Sequence, residues 1–212
     1  MSDMTQPNAA RSAREDIAFM RSLAEEGASG PLLGGSFLIF AGLIYGAASL
    51  ATWLVLILAP PEIGRLTPWI WGGALAVHML ICAILGFVLR RRRTRPIDRS
   101  NRVFRSAWNG VGFAILSCLA SFSLTAWLAH MPAVFIVYPS VVLLLYGMGW
   151  TATAAASKER WTWAIAGLSF LFAIASGALA GNVNLPLLFV PILLILLVLP
   201  GALLLKRAGV RS

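Results

Sequence analysis

The sequence predicts an all-α integral membrane protein. Six transmembrane helices form one bundle, both termini are cytoplasmic, and an amphipathic helix precedes the first span. Three observations carry this. The chain is 59% hydrophobic and only 12% charged, against about 25% charged for a soluble domain. Six long runs are free of Asp, Glu, Lys and Arg. The basic residues sit almost entirely on alternate connections between those runs.

A spanning helix needs about 20 mostly apolar residues. Residues 33–58, 68–89, 106–129, 132–156, 161–180 and 187–205 meet that requirement. Water is absent at those depths, so backbone N–H and C=O groups must pair within each segment, and helix is the state that does so.

Orientation follows from charge. Cytoplasmic loops are enriched in Lys and Arg. With the N-terminus inside, sixteen of the seventeen basic residues are cytoplasmic and only Arg65 is outside. The opposite orientation reverses the count. The stretch "LRRRRTRPIDRSNRVFR", residues 89–105, holds eight of them and is first of all a topology determinant. Arg90, Arg91, Arg92 and Arg93 continue directly from a helix end, where long side chains snorkel to the interface. They are expected to attract anionic headgroups, at about 1 kcal/mol per residue near the surface. A pI near 11.0 invites a nucleic-acid reading, but this loop has one aromatic, Phe104, and no reading module. No nucleic-acid partner is expected.

Residues 1–30 form a cytoplasmic segment, whose polar start is not expected to act as a secretory signal. Within it, residues 13–26 read as an amphipathic helix. Ser12 and Glu15 have capping-box spacing. Ala13, Ile17, Met20 and Ala24 recur on one face, and Gly27 suits the stop. The face carrying Ile17 and Met20 is expected to lie on lipid, on the bundle, or on a partner.

Residues 31–207 are the transmembrane domain, followed by a short tail, 208–212. The outer connections are short, and "AHMPA" makes the third and fourth helices adjacent and antiparallel. Trp53, Trp69, Trp71, Trp127, Trp161 and Trp163 fall near helix ends, as interfacial belts require.

Small residues permit close backbone approach in lipid. Gly42 and Gly46 have GxxxG spacing. Ser106, Gly110, Ala114, Ser117, Ser121 and Thr125 follow one face of the third helix, and Ala173, Gly177 and Gly181 mark the fifth. The sixth is Leu, Ile and Val all round. The third helix is therefore expected at the centre and the sixth at the lipid-facing edge. Pro139, Pro191 and Pro200 are expected to kink the fourth and sixth helices. The halves show no convincing repeat of the transporter kind.

The spans contain no carboxylate, no zinc-type Cys/His spacing, no phosphate-binding glycine loop and no serine-nucleophile motif. No enzyme activity, metal or cofactor is expected. Cys82 and Cys118 read as small apolar side chains without a disulfide. Asn109 is expected to bond across helices, and His130 to lie at the surface. His78 falls halfway along the second helix, and an intramembrane ionisable residue is a functional candidate by default. Tyr45, Ser117 and Tyr146 lie at comparable depth and are expected to form a polar cluster with it.

The expected function is that of a small non-enzymatic inner-membrane protein, regulatory or accessory, acting through anionic lipid, a protein partner or another copy of itself. The alternative is a carrier or channel for a small neutral or amphipathic solute. A polar cavity at the depth of His78 would favour transport; a solidly packed bundle would favour the partner. A compact, Arg-rich and Lys-poor chain suggests a bacterial membrane.

Overall fold

The computed structural model describes residues 16–20, 34–58, 66–91, 99–157 and 159–210. Among the described residues the regular elements are all helical. Six helices are long and apolar enough to cross a membrane. They are α1 (Gly35–Leu58), α2 (Thr67–Arg91), α3 (Arg99–Leu128), α4 (Tyr138–Ala156), α5 (Trp161–Ala178) and α6. The last is one run of Leu185–Leu193, a π-helical turn Leu194–Val198, and Leu199–Val210. Residues 16–20 are helical and Ile17 and Met20 are exposed. The rest of the 13–26 helix lies outside the described residues.

Two tight pairs make the body: α1 packs along α6, and α4 along α5. Large side chains fill the space between the pairs. Leu143, Trp150 and Leu196 are fully enclosed, with Leu193, Leu197 and Phe189 around them. α2 is laid on α1 and α3 on α4, as flanks.

The expected centre and edge are therefore exchanged. α6 is central, and the apolar stretch of α3 is exposed or half-buried with few enclosed residues. The reason is where close approach occurs. A Cβ added at Gly35 would meet the Gly201 carbonyl, and one at Gly201 would lie 2.6 Å from the Gly35 carbonyl. A Cβ at Gly42 would lie 2.6 Å from Val198 and 3.3 Å from the Leu193 carbonyl. α1 and α6 thus touch backbone to backbone, and Leu193, Leu196, Leu197 and Leu204 of α6 are buried in the core, while Leu188, Leu194, Leu199, Leu203 and Leu205 are exposed. Gly46, the second half of the GxxxG pair, has nothing within 4 Å of its Cβ position. The working small residues of α1 are Gly35 and Gly42.

Helix ends also differ from expectation. α3 begins at Arg99, so Arg102, Phe104 and Arg105 are helical rather than loop. Pro132–Ile136 is a 3₁₀ turn, not the start of α4. Pro139 then lies in the first turn of α4, where its missing N–H is unneeded. It opens that helix instead of kinking it. Pro191 and Pro200 lie within α6, on either side of the π turn. His130 adopts φ +53° in the connection before the 3₁₀ turn.

Some hydroxyls in the spans are absorbed locally, while those of Ser49, Ser140 and Ser176 are buried without a partner among the described residues. Thr52, Thr151, Thr153 and Ser169 each donate to the carbonyl four residues back, at 2.8 Å. This satisfies a polar atom that lipid could not.

One end of the bundle gathers the start of α1, the start of α3, the α4–α5 turn and the end of α6. Phe104 packs at Gly34, and Arg207 pairs with Glu159. At the opposite end Trp53 donates to the Asn184 side chain at 3.1 Å. The first end carries exposed Arg102, Arg105, Arg160, Lys206 and Arg207.

Candidate functional site

His78 stands on the face of α2 that meets α1. Its ring stacks on Tyr45, with centroids 5.2 Å apart and planes 26° apart. Tyr45 also stacks on Trp71, two turns away on α2, at 6.3 Å and 17°. The arrangement follows from helical spacing: residues 71 and 78 lie seven apart and share one face.

On the other side of the molecule Tyr146 of α4 packs on Trp108 of α3, at 6.0 Å. Ring contacts thus join α2 to α1 through His78, Trp71 and Tyr45, and α3 to α4 through Trp108 and Tyr146. The Nδ1 atom of His78 is enclosed and has no hydrogen-bond partner. Tyr138 donates to the Ile115 carbonyl at 3.2 Å.

Of the expected cluster, His78 and Tyr45 are in ring contact, whereas Tyr146 packs on Trp108. Ser117 does not join them; it is exposed on α3. Trp71 stacks on Tyr45, Trp108 packs on Tyr146 and Tyr138 packs on Phe122; none of these was picked out as part of the cluster. Trp71 and Tyr138 sit toward helix ends, where aromatic residues read as belt. The clue available was Trp71 lying seven residues before His78.

From Trp108 ring contacts continue toward the basic end. Trp108 meets Trp150 edge-on at 5.3 Å and donates to Thr153 at 3.2 Å. Trp150 packs on Trp161 at 6.0 Å. The Arg207 guanidinium lies over the Trp161 ring at 5.8 Å and pairs with Glu159. Both partners are partly exposed, at 47% and 35%, so the pair is a screened surface contact of small energetic weight.

Arg91 lies over the Phe87 ring at 4.3 Å, so its stem covers part of the apolar end of α2. The structure of 92–98, including Arg92 and Arg93, lies outside the described residues, as does the side chain of Arg90. Asn109, expected to bond across helices, is exposed. Asn101 is the buried amide of α3 instead. Cys82 and Cys118 are free thiols. Among the described residues no three His, Cys, Asp or Glu come close enough to hold a metal.

The other conspicuous surface is the small-residue face of α3. Ser106, Gly110, Ser117, Ser121 and Thr125 are exposed along it, with Ala114 half-buried between them. A Cβ at Gly110 or Gly112 would meet nothing within 4 Å. Compared with protein-family models, curated proteins and solved structures, the chain matches none.

Proposed function

We propose that this chain is a non-enzymatic accessory or regulatory protein of a cell membrane, acting by association with another membrane helix. One observation carries the reading. A face of Ser, Gly, Ala and Thr runs the length of α3, uncovered by the rest of the bundle. In lipid such a face gains nothing from acyl chains, whereas a partner helix can approach it closely and bond to its hydroxyls. The basic end, with Arg90 to Arg93 and the exposed arginines of α3, would hold anionic headgroups beside that assembly. A bacterial inner membrane suits the Arg-rich, compact chain.

The test is photo-crosslinking in native membranes. A crosslinker at Ser117 or Ser121 is expected to give a discrete protein adduct. The same group at Ile174, exposed on α5, is expected to give lipid adducts only. Equal labelling at the three positions removes the partner reading.

The second reading is a carrier for a small neutral or amphipathic solute. It is favoured by the stacked His78–Tyr45 pair within the spans. Flux of such solutes into proteoliposomes, lost in His78→Gln with unchanged thermal stability, would replace the accessory reading with this one.

A further inference from the structure

The α4–α5 turn and the end of α6 meet at the basic end of the bundle. Arg207 of α6 pairs with Glu159 of the turn, and its guanidinium lies over the Trp161 ring at 5.8 Å. Trp161 packs at 6.0 Å on Trp150, which is fully enclosed. The arginine is thus fastened to the most buried part of the molecule. Arg160 and Lys206 are the chain neighbours of Glu159 and Arg207. The contact therefore brings these two cations, from distant parts of the sequence, to one corner of the bundle.

The charges at this corner do not cancel. Among the described residues from Gly34 onward, Glu159 is the only carboxylate, and Arg207 is the residue it pairs with. Arg160 and Lys206 are exposed, and among the described residues no carboxylate pairs with either. Three cations against one anion leave an excess of positive charge. The start of α5 adds the positive end of its helix dipole.

What lies beneath the cations selects the kind of anion. Leu199 and Leu203 stand eight and four residues before Arg207, so they share its face of α6, and both are exposed. Trp163 follows Arg160 by three residues on α5 and is exposed as well. A soluble phosphate would use the cations alone. A molecule with a phosphate and acyl chains would use both surfaces, its chains running along Leu203 and Leu199 into the hydrocarbon. Basic residues at this level attract anionic headgroups.

We propose that the α4–α5 turn and the end of α6 form a site for one anionic phospholipid, its phosphate held between Arg160 and Lys206. Glu159 and Trp161 keep Arg207 in place behind it. Arg160 belongs to the α4–α5 pair and Lys206 to the α1–α6 pair, so a phosphate bound to both ties the two pairs together. An occupied site therefore stabilises the bundle. This narrows the lipid part of the accessory reading to one place, and it uses neither the small-residue face of α3 nor Arg90 to Arg93.

The experiment uses the purified full chain in a neutral detergent at fixed ionic strength. Dioleoyl phosphatidylglycerol is the probe. Dioleoyl phosphatidylcholine has the same chains and no net charge, and glycerol 3-phosphate has a phosphate and no chains. Native mass spectrometry counts retained lipid, and thermal unfolding reads the tie between the helix pairs. The wild type is expected to retain one phosphatidylglycerol saturably, with a saturable rise in Tm, and to show neither with the two controls. Arg160→Gln with Lys206→Gln is expected to weaken binding about tenfold to thirtyfold, two charge contacts being lost. It should also abolish the Tm rise, with the lipid-free Tm little changed because both side chains are exposed. Arg102→Gln with Arg105→Gln removes the same charge from the start of α3 and is expected to bind as wild type. The proposal is overturned by equal retention of phosphatidylcholine or by an equal response to glycerol 3-phosphate, which would make this a soluble-phosphate site. It is overturned too by equal losses in the two double variants, which would leave net charge as the whole effect. Lost crosslinking at Ser117 or Ser121 would leave these outcomes as they are, so the two ideas fail separately.

Discussion

The Trp150 indole N–H donates to the Leu196 backbone carbonyl, 3.1 Å away, across the centre of the bundle. Leu196 is the residue whose carbonyl Pro200 should have served. In an α-helix that carbonyl accepts from the N–H four residues on, and Pro200 has none. A fully enclosed tryptophan of α4 thus supplies a donor to a carbonyl that the proline of α6 cannot serve. The π turn beside it, Leu194–Val198, shifts the ladder by one residue over the same stretch. Among the described residues, this bond ties the α4–α5 pair to the α1–α6 pair by a polar contact rather than by packing alone.

Trp150→Phe is expected to destabilise the fold for two separable reasons: lost ring volume in a fully enclosed site, and an unpaired Leu196 carbonyl. Pro200→Ala supplies an N–H to that same carbonyl. In the Pro200→Ala background, Trp150→Phe should therefore cost about 1 kcal/mol less, the worth of a hydrogen bond to a buried acceptor. Thermal or denaturant unfolding of the four-member cycle measures it. Strictly additive effects would show that the bond does not compensate for the proline.

The seam between α1 and α6 depends on missing side chains. Gly201→Ala places a methyl against the Gly35 carbonyl and 3.2 Å from the Ile39 N–H nitrogen. Backbone atoms cannot swing aside, so the helices must separate. The expected cost is about 1–3 kcal/mol, as for other overpacked sites. Gly110→Ala on α3 meets open space and removes a poor helix former, so it should be neutral or stabilising by up to about 1 kcal/mol. Parallel melting curves check both, and the opposite order would put the central seam elsewhere.

The charge asymmetry of the sequence predicts that the basic end faces the cytoplasm. In intact cells a cysteine at Ser100 is expected to be shielded from an impermeant thiol reagent and labelled only after the membrane is opened. A cysteine at Asn182, in the α5–α6 connection, is expected to react from outside. Cys82 and Cys118 are removed first. Reversed labelling would invert the topology read from the arginines.

The four arginines at the end of α2 should select lipid as well as orient the chain. Replacing Arg90, Arg91, Arg92 and Arg93 together by Gln is expected to lower the preference for a spin-labelled anionic lipid over a zwitterionic one. The preference that remains should vary less with salt, because the lost part is the screened part. An unchanged preference would leave this run with orientation alone.

The polar cluster was half legible. His78 draws attention as an ionisable side chain inside a span, and Tyr45 and Tyr146 match it in depth. Depth along a helix says nothing about which way a residue faces, so Ser117 was grouped with them and is in fact exposed. The ring contacts of Trp108 with Tyr146 and of Tyr138 with Phe122 were invisible, because partners on neighbouring helices are set by how helices are placed side by side.

What the sequence alone determined is the set of six apolar helices, the absence of charge within them and the bias of basic residues to alternate connections. These are local properties, since solvation by lipid acts on each stretch of about 20 residues independently. What only the tertiary structure decided is the order of packing: α6 inside, α3 on the flank, Gly35 and Gly42 at the seam while Gly46 and Gly110 are not, and Trp150 donating to the carbonyl that Pro200 cannot serve. In water, burial would have marked the inner face of each helix by its apolar residues. In lipid a leucine is solvated equally well by acyl chains and by neighbouring helices, so hydropathy carries no inward direction. That direction comes from shape and from the few polar atoms that must find partners, and both are fixed only when residues far apart in the chain meet.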